Sequence, residues 1–147
     1  MKSVNVVYIS AAFVVSFLAT GIPYWQIPYS KASLPSSLYN LSLAVVCLAS
    51  FTLRLLSKAS FTQATLIAGL AVPAMVMARV IVETAQGPTS HNLWPFELII
   101  ASAVGLVVSL AGSLTGELLA KILKSRRLAE TNTWLRLNDE TLNRRSL

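Results

Sequence analysis

Two charged residues stand inside a long apolar segment, where side chains able to do chemistry are easiest to recognise. Arg79 and Glu83 are four residues apart, so in a helix they would share one face. Ionisable residues within an apolar span are costly and are default candidates for functional groups. The only histidine, His91, and a second acid, Glu97, follow in the stretch GPTSHNLWPFE. We therefore treat Arg79, Glu83, His91 and Glu97 as one candidate polar cluster.

Several kinds of chemistry are compatible with this polar cluster. It could form a proton-linked or anion-binding site, or dock the charges of another membrane protein. The structural alternative is an ion pair that holds two helices together, or an Arg79 side chain that extends to the lipid headgroups. His91 and Glu97 offer two metal ligands, and a zinc site needs at least three protein ligands. Ser90 adjoins His91, but no nucleophile motif surrounds them. We predict no catalytic residue, metal or cofactor.

The elements that must position these residues follow from composition. Of 147 residues, 54% are hydrophobic and 12% are charged, whereas soluble domains carry about 25% charged residues. A transmembrane helix needs roughly 20 mostly apolar residues. Four windows meet this standard, at about 5–22, 37–56, 61–85 and 93–120. The sequence predicts an all-α membrane protein, with four transmembrane helices in an antiparallel bundle (residues 1–123) and a separate tail (124–147).

The first window could alternatively be a signal peptide, with Lys2 as its basic residue and Ala19-Thr20-Gly21 near a cleavage point. Its apolar run is longer than the roughly 7–15 residues usual for such a peptide. This length favours a retained helix.

The depth of the polar cluster can be estimated from the third window. Its centre falls near Pro73, which puts Arg79 about 9 Å from the midplane and Glu83 near the boundary of the hydrocarbon. The short connection to the fourth helix brings Glu97 to nearly the same depth. We therefore expect Arg79 to serve both carboxylates, with His91 above them.

The distribution of the basic residues predicts orientation. The net charge is +6, and on a four-helix topology ten of the twelve cations fall on one side. By the positive-inside rule both termini are cytoplasmic, in a bacterial inner membrane. Anionic lipid is then a sufficient partner for the charge, and nucleic acid is not expected. The ten cations are Lys2, Arg54, Lys58, Lys121, Lys124, Arg126, Arg127, Arg136, Arg144 and Arg145.

Aromatic residues cluster at the opposite, outer side. The first outer connection, 23–37, contains three prolines, Pro23, Pro28 and Pro35, which exclude a regular helix there. Its aromatic rings suit the headgroup zone. They predict either a membrane anchor or a recognition surface for a lipid, glycan or partner. This aromatic outer surface comprises Tyr24, Trp25, Tyr29 and Trp94.

Small residues recur along one face of the fourth helix. Such a stripe lets helix backbones approach closely, either within the bundle or against another chain. Its members are Ala101, Gly105, Ser109, Gly112, Ser113 and Gly116.

Charged residues also lie at the inner side. Arg54 and Glu117 belong near the inner boundary, where they could form an ion pair. The tail at 124–147 is basic, and Leu128, Leu135 and Leu142 repeat every seven residues. It predicts a cytoplasmic amphipathic helix that either continues the fourth helix or lies on the inner leaflet, with contact to the membrane surface expected.

These features favour a non-enzymatic role. We expect an accessory or scaffolding subunit of a membrane complex, or a homo-oligomer, whose partners are lipids and another membrane protein or further copies of itself. One alternative is a small transporter or channel subunit that uses the polar cluster. It would need a polar path, and the inner half of the third helix offers only Thr62, Gln63 and Thr65. The other alternative is an outer-face enzyme acting on lipid-linked substrates.

Overall fold

The computed structural model describes residues 2–27, 41–57, 59–86 and 94–145. Side chains are described at 5–27, 41–57, 59–85 and 94–131. Within these ranges every regular element is a helix. The helices are α1 (Lys2–Trp25), α2 (Ser42–Leu56), α3 (Phe61–Gln86) and α4 (Trp94–Arg145). The all-α class is confirmed.

Three of the helices are long and apolar enough to cross a membrane: Asn5–Trp25, Phe61–Ala85 and Trp94–Thr131. The remaining helix, α2, has 15 residues, which corresponds to a length of about 22 Å at 1.5 Å per residue. That is shorter than the roughly 30 Å of hydrocarbon in a bilayer. The predicted second span began at residue 37, and residues 28–40 lie outside the described part of the chain. The chain is therefore a helical bundle compatible with a membrane.

The end of α1 differs from the prediction. α1 runs through Pro23 to Trp25, although the prediction ended it at Ile22. Contacts with α3 hold its last turn in place: Arg79 binds the Tyr24 carbonyl, and the Trp25 indole binds the Met75 carbonyl. These contacts compensate for the amide that Pro23 lacks. At the other end of the chain, α4 continues without interruption to Arg145, which is one of the two arrangements predicted for the tail.

Residues Met1–Glu117 form one compact unit and Leu118–Leu147 a second. The second unit is helical to Arg145, as predicted for the tail. Its described leucines and isoleucine are largely exposed: Leu118, Leu119, Ile122, Leu123 and Leu128.

The core of the first unit contains residues of all four helices: α1, α2 and α3 pack against one another, and Ala101 of α4 belongs to the main cluster. Val46 of α2 and Val72 and Met75 of α3 are completely buried in its main cluster. A smaller cluster contains Leu53, Ala59 and Ala64. Outside the core, large apolar side chains are exposed on all four helices, as expected for a surface covered by lipid.

A capping box defines the start of α3. The Ser60 hydroxyl accepts a hydrogen bond from the Gln63 amide at 3.2 Å, and the Gln63 side-chain oxygen accepts one from the Ser60 amide at 3.0 Å. This reciprocal pair satisfies two N–H groups at the start of the helix. It fixes where α3 begins, and therefore where Arg79 lies along it.

The small residues of α4 pack against helices of the same chain. A Cβ added to Gly105 would overlap the Gly69 carbonyl oxygen and approach the Val72 Cβ to 2.9 Å. Because Pro73 has no N–H, the carbonyl of Gly69 lacks its usual helical donor. The Gly105 backbone lies close to that carbonyl oxygen, with no room for a side chain between them.

The stripe continues against α2. A Cβ on Gly112 would overlap the Cys47 carbonyl oxygen and the Ser50 hydroxyl, and one on Gly116 would lie 3.0 Å from the Phe51 carbonyl oxygen. Residue numbers rise together along these contacts, so α2 and α4 run in the same direction. The three remaining members, Ala101, Ser109 and Ser113, are completely buried.

The predicted ion pair between Arg54 and Glu117 is confirmed. The Arg54 guanidinium donates to the Glu117 carboxylate and, at 3.4 Å, to the Ala59 carbonyl. The two charged side chains are 25% and 24% exposed. The pair joins α2 to α4 and also holds the connection that leads to α3.

We expect Glu117→Gln to lower the free energy of unfolding by about 1 kcal/mol, because the neutral amide loses the charge-assisted bond but stays partly solvated. Thermal unfolding in detergent, followed by circular dichroism, measures the change. Glu130→Gln is the matched control, since Glu130 is an exposed acid on the same helix. Equal unfolding midpoints for the two variants would contradict a stabilising role for the pair.

Candidate functional site

The candidate site lies where α1 and α3 end, and its central residue is Arg79. The helical conformation of α3 puts Glu83 one turn beyond it, and the Arg79 Nε donates to Glu83 Oε1 at 2.7 Å. Arg79 is only 6% exposed. A guanidinium this deeply buried needs partners for its N–H groups.

Those partners include the end of α1. The Arg79 Nη1 donates to the Tyr24 carbonyl at 2.9 Å, and Nη2 donates to the Ile27 carbonyl at 2.7 Å. Carbonyls at the end of a helix have no intrahelical donor, and a cation there also interacts favourably with the helix dipole. Arg79 therefore caps α1 while it pairs with Glu83. The same contacts place the C-terminal ends of α1 and α3 side by side.

Tyr24 lies in the core, which differs from the expectation of an outer aromatic surface. It is 3% exposed, and the Arg79 Cζ lies 4.8 Å from its ring centroid. At this distance the cation interacts with the face of the ring. The cause is the extra turn of α1, which directs Tyr24 toward α3 instead of releasing it into a loop.

Trp25 lies partly at the surface, with 39% of its side chain exposed. Its indole N–H donates to the Met75 carbonyl at 3.1 Å. Its ring packs edge-on against the Phe17 ring, with the two ring centroids 5.5 Å apart. Gly21 leaves the space for this ring, because a Cβ there would lie 2.8 Å from it. Trp94, in the first turn of α4, is 41% exposed. Tyr29 lies outside the described residues.

Of the two other members of the predicted polar cluster, the structure describes Glu97 and not His91. Glu97 lies in the first turn of α4, where the dipole favours an acid. It lies within electrostatic range of Tyr24, as does Glu83. His91 lies outside the described residues. The structure thus brings Arg79 and Glu83 into contact and puts Glu97 near the ring that Arg79 covers.

Sequence reasoning missed the two carbonyl groups that Arg79 binds. Backbone acceptors leave no mark in a sequence, so no residue type could have indicated them. The available signal was indirect: an arginine inside a span and a neighbouring helix that ends at similar depth.

A groove opens beside this contact. It has a volume of about 330 Å³ and is lined by Trp25, Ala78, Arg79, Val82 and Glu83. Its walls are mostly apolar, and Val82 is 56% exposed at its edge. The groove therefore combines an apolar surface with one adjacent pair of opposite charges.

Among the described residues, no three His, Cys, Asp or Glu side chains are grouped as metal ligands would be. Two serine hydroxyls in the described part of the chain, Ser16 Oγ and Ser113 Oγ, are buried without a hydrogen-bond partner. They lie on α1 and α4.

No protein-family model matches the sequence, and comparisons with curated proteins and with solved structures also give no match.

Proposed function

We propose that this chain is a non-enzymatic accessory or scaffolding subunit of a membrane assembly, or forms a homo-oligomer. The observation that carries the proposal is the environment of Arg79. Its guanidinium is bound by Glu83 and by the end of α1. An arginine engaged in this way stabilises the bundle, and it is poorly placed to bind and release a transported ion.

The location proposed with this role is a bacterial inner membrane, with four spans and both termini in the cytoplasm. Support comes from the charge distribution: ten of the twelve cations would face the cytoplasm. Exposed cations on the inner part of α4 would then lie near anionic headgroups, where each contributes about 1 kcal/mol of attraction. Among the described side chains these are Lys121, Lys124, Arg126 and Arg127.

A transporter or channel is less well supported. Transport needs polar groups along a path through the bundle. Ala64, Ala68 and Val72 of α3 are instead completely buried and apolar. The Thr65 hydroxyl donates to its own helix, to the Phe61 carbonyl at 3.0 Å.

Purification in a gentle detergent, followed by native mass spectrometry, tests the accessory role. We expect a second membrane protein in fixed proportion, or a multiple of the 15.9 kDa chain. A tagged membrane protein of similar size, prepared in parallel, identifies the background of the detergent extract. A lone 15.9 kDa chain would contradict the proposal.

A further inference from the structure

We propose that the groove beside Arg79 and Glu83 binds the headgroup of a zwitterionic phospholipid that carries a primary ammonium. The phosphate would lie against Arg79 and the ammonium against Glu83. The inference requires only that the helices lie in a membrane. It does not depend on the accessory role, because lipid binding and protein assembly are separate properties.

The Arg79 guanidinium forms part of the groove wall. Arginine has five N–H donors, and Glu83, the Tyr24 carbonyl and the Ile27 carbonyl each accept one from Arg79. The side chain is 5% exposed. A phosphate accepts hydrogen bonds from arginine with strength and geometric preference.

Charge complementarity selects the headgroup. The Arg79 Nε and the Glu83 Oε1 are 2.7 Å apart, and the two side chains together carry no net charge. An anionic headgroup would meet the Glu83 carboxylate, and a purely cationic ligand would meet the guanidinium. A zwitterion presents the opposite charge to each. A carboxylate has about four acceptor positions, so Glu83 can receive an ammonium N–H in addition to its present contacts.

The order of the two charges along α3 also matches the lipid. Glu83 lies about 6 Å closer to the end of the helix than Arg79 does. In a phospholipid the phosphate is attached to the glycerol, and the ammonium extends beyond it toward water. The deeper cation therefore meets the phosphate and the outer acid meets the ammonium. This match holds in either leaflet, because it depends only on distance from the membrane centre.

The remaining walls suit the less polar part of the lipid. The partly exposed Trp25 ring has the amphipathic character favoured at the membrane interface. Ala78, next to Arg79, and Val82, next to Glu83, supply the apolar surface of the groove. A second groove, of about 230 Å³, is lined by Ala103, Val104, Val107 and Val108 and has no charged wall. It provides a control within the same protein.

Native mass spectrometry of the detergent-solubilised chain, titrated separately with three lipids, tests the proposal. We expect phosphatidylethanolamine to bind at least about tenfold more tightly than phosphatidylglycerol or phosphatidylcholine, as one lost charge-assisted contact implies. Phosphatidylcholine keeps the zwitterion but has no N–H donor. Equal binding of phosphatidylethanolamine and either other lipid would overturn the proposal.

Two variants locate the site. Ala78→Trp fills the groove and should weaken phosphatidylethanolamine binding by about tenfold or more, whereas Ala103→Trp in the uncharged groove should not. Glu83→Gln should remove the preference over phosphatidylglycerol. If circular dichroism shows that Ala78→Trp does not fold, the Glu83→Gln variant still tests the proposal. Wild-type preference in Glu83→Gln would refute the site. Lipid and protein adducts differ in mass, so failure here is distinguishable from failure of the accessory role.

Discussion

Gly112→Val is expected to destabilise the bundle severely. The first side-chain carbon at this position would overlap the Cys47 carbonyl oxygen and the Ser50 hydroxyl. The carbonyl belongs to the backbone of α2, which can yield only if the two helices separate. Overpacking costs about 1–3 kcal/mol, occasionally more, out of a total stability of about 5–15 kcal/mol. Size-exclusion chromatography after heating should show loss of the monodisperse peak at a much lower temperature.

The control for this prediction is the adjacent residue. Ala111→Val introduces the same side chain on the exposed face of α4, so the temperature at which its monodisperse peak is lost should change little. If Gly112→Val lost its monodisperse peak at the same temperature as Ala111→Val, α2 and α4 would not approach as closely as described.

Arg79→Ala is expected to have an effect of similar size. The change removes the hydrogen bonds that Arg79 donates to the Tyr24 and Ile27 carbonyls and its ion pair with Glu83. Among the described residues, the Tyr24 carbonyl then keeps only the Ile27 N–H, at 3.3 Å. Breaking a buried charged contact by deleting one partner costs about 3–5 kcal/mol. The unfolding midpoint in detergent should fall accordingly, and less folded protein should accumulate in the membrane.

Two further variants interpret that result. Arg79→Lys should fall between wild type and Arg79→Ala, because one ammonium cannot reach three acceptors in the geometry of a guanidinium. Lys124→Ala removes an exposed cation from α4 and should leave the midpoint nearly unchanged. If Arg79→Ala unfolded at the wild-type temperature, Arg79 would not be a structural residue.

Some of the architecture could be predicted because the bilayer imposes a simple rule. A run of apolar residues long enough to cross hydrocarbon must satisfy its backbone by forming a helix. Three of the four predicted spans meet that criterion in the structure. The contact between Arg54 and Glu117 was also predictable, since two opposite charges at equal depth favour pairing.

Other features were beyond sequence reasoning. Pro23 indicated a helix end before Tyr24, but contacts with α3 extend α1 to Trp25. Those contacts are tertiary, so the local signal of a proline could not reveal them. Arg79 was expected to serve carboxylates, and it also binds the Tyr24 carbonyl at the end of α1 and the Ile27 carbonyl just beyond it. Which backbone groups a buried arginine reaches depends on helix rotation, which hydrophobicity alone does not determine.

The central claim is that Arg79 stabilises the fold by capping α1, in addition to its ion pair with Glu83. The most direct test compares the unfolding midpoints of Arg79→Met and of Arg79→Met combined with Glu83→Gln. Neutralising Glu83 removes the charge that lost its Arg79 contact, but the Tyr24 and Ile27 carbonyls still lack the hydrogen bonds that Arg79 donates. We predict that the double variant recovers only part of the lost stability and unfolds well below the wild-type midpoint. Recovery of the wild-type midpoint in the double variant would contradict the claim, because the ion pair would then account for the whole effect.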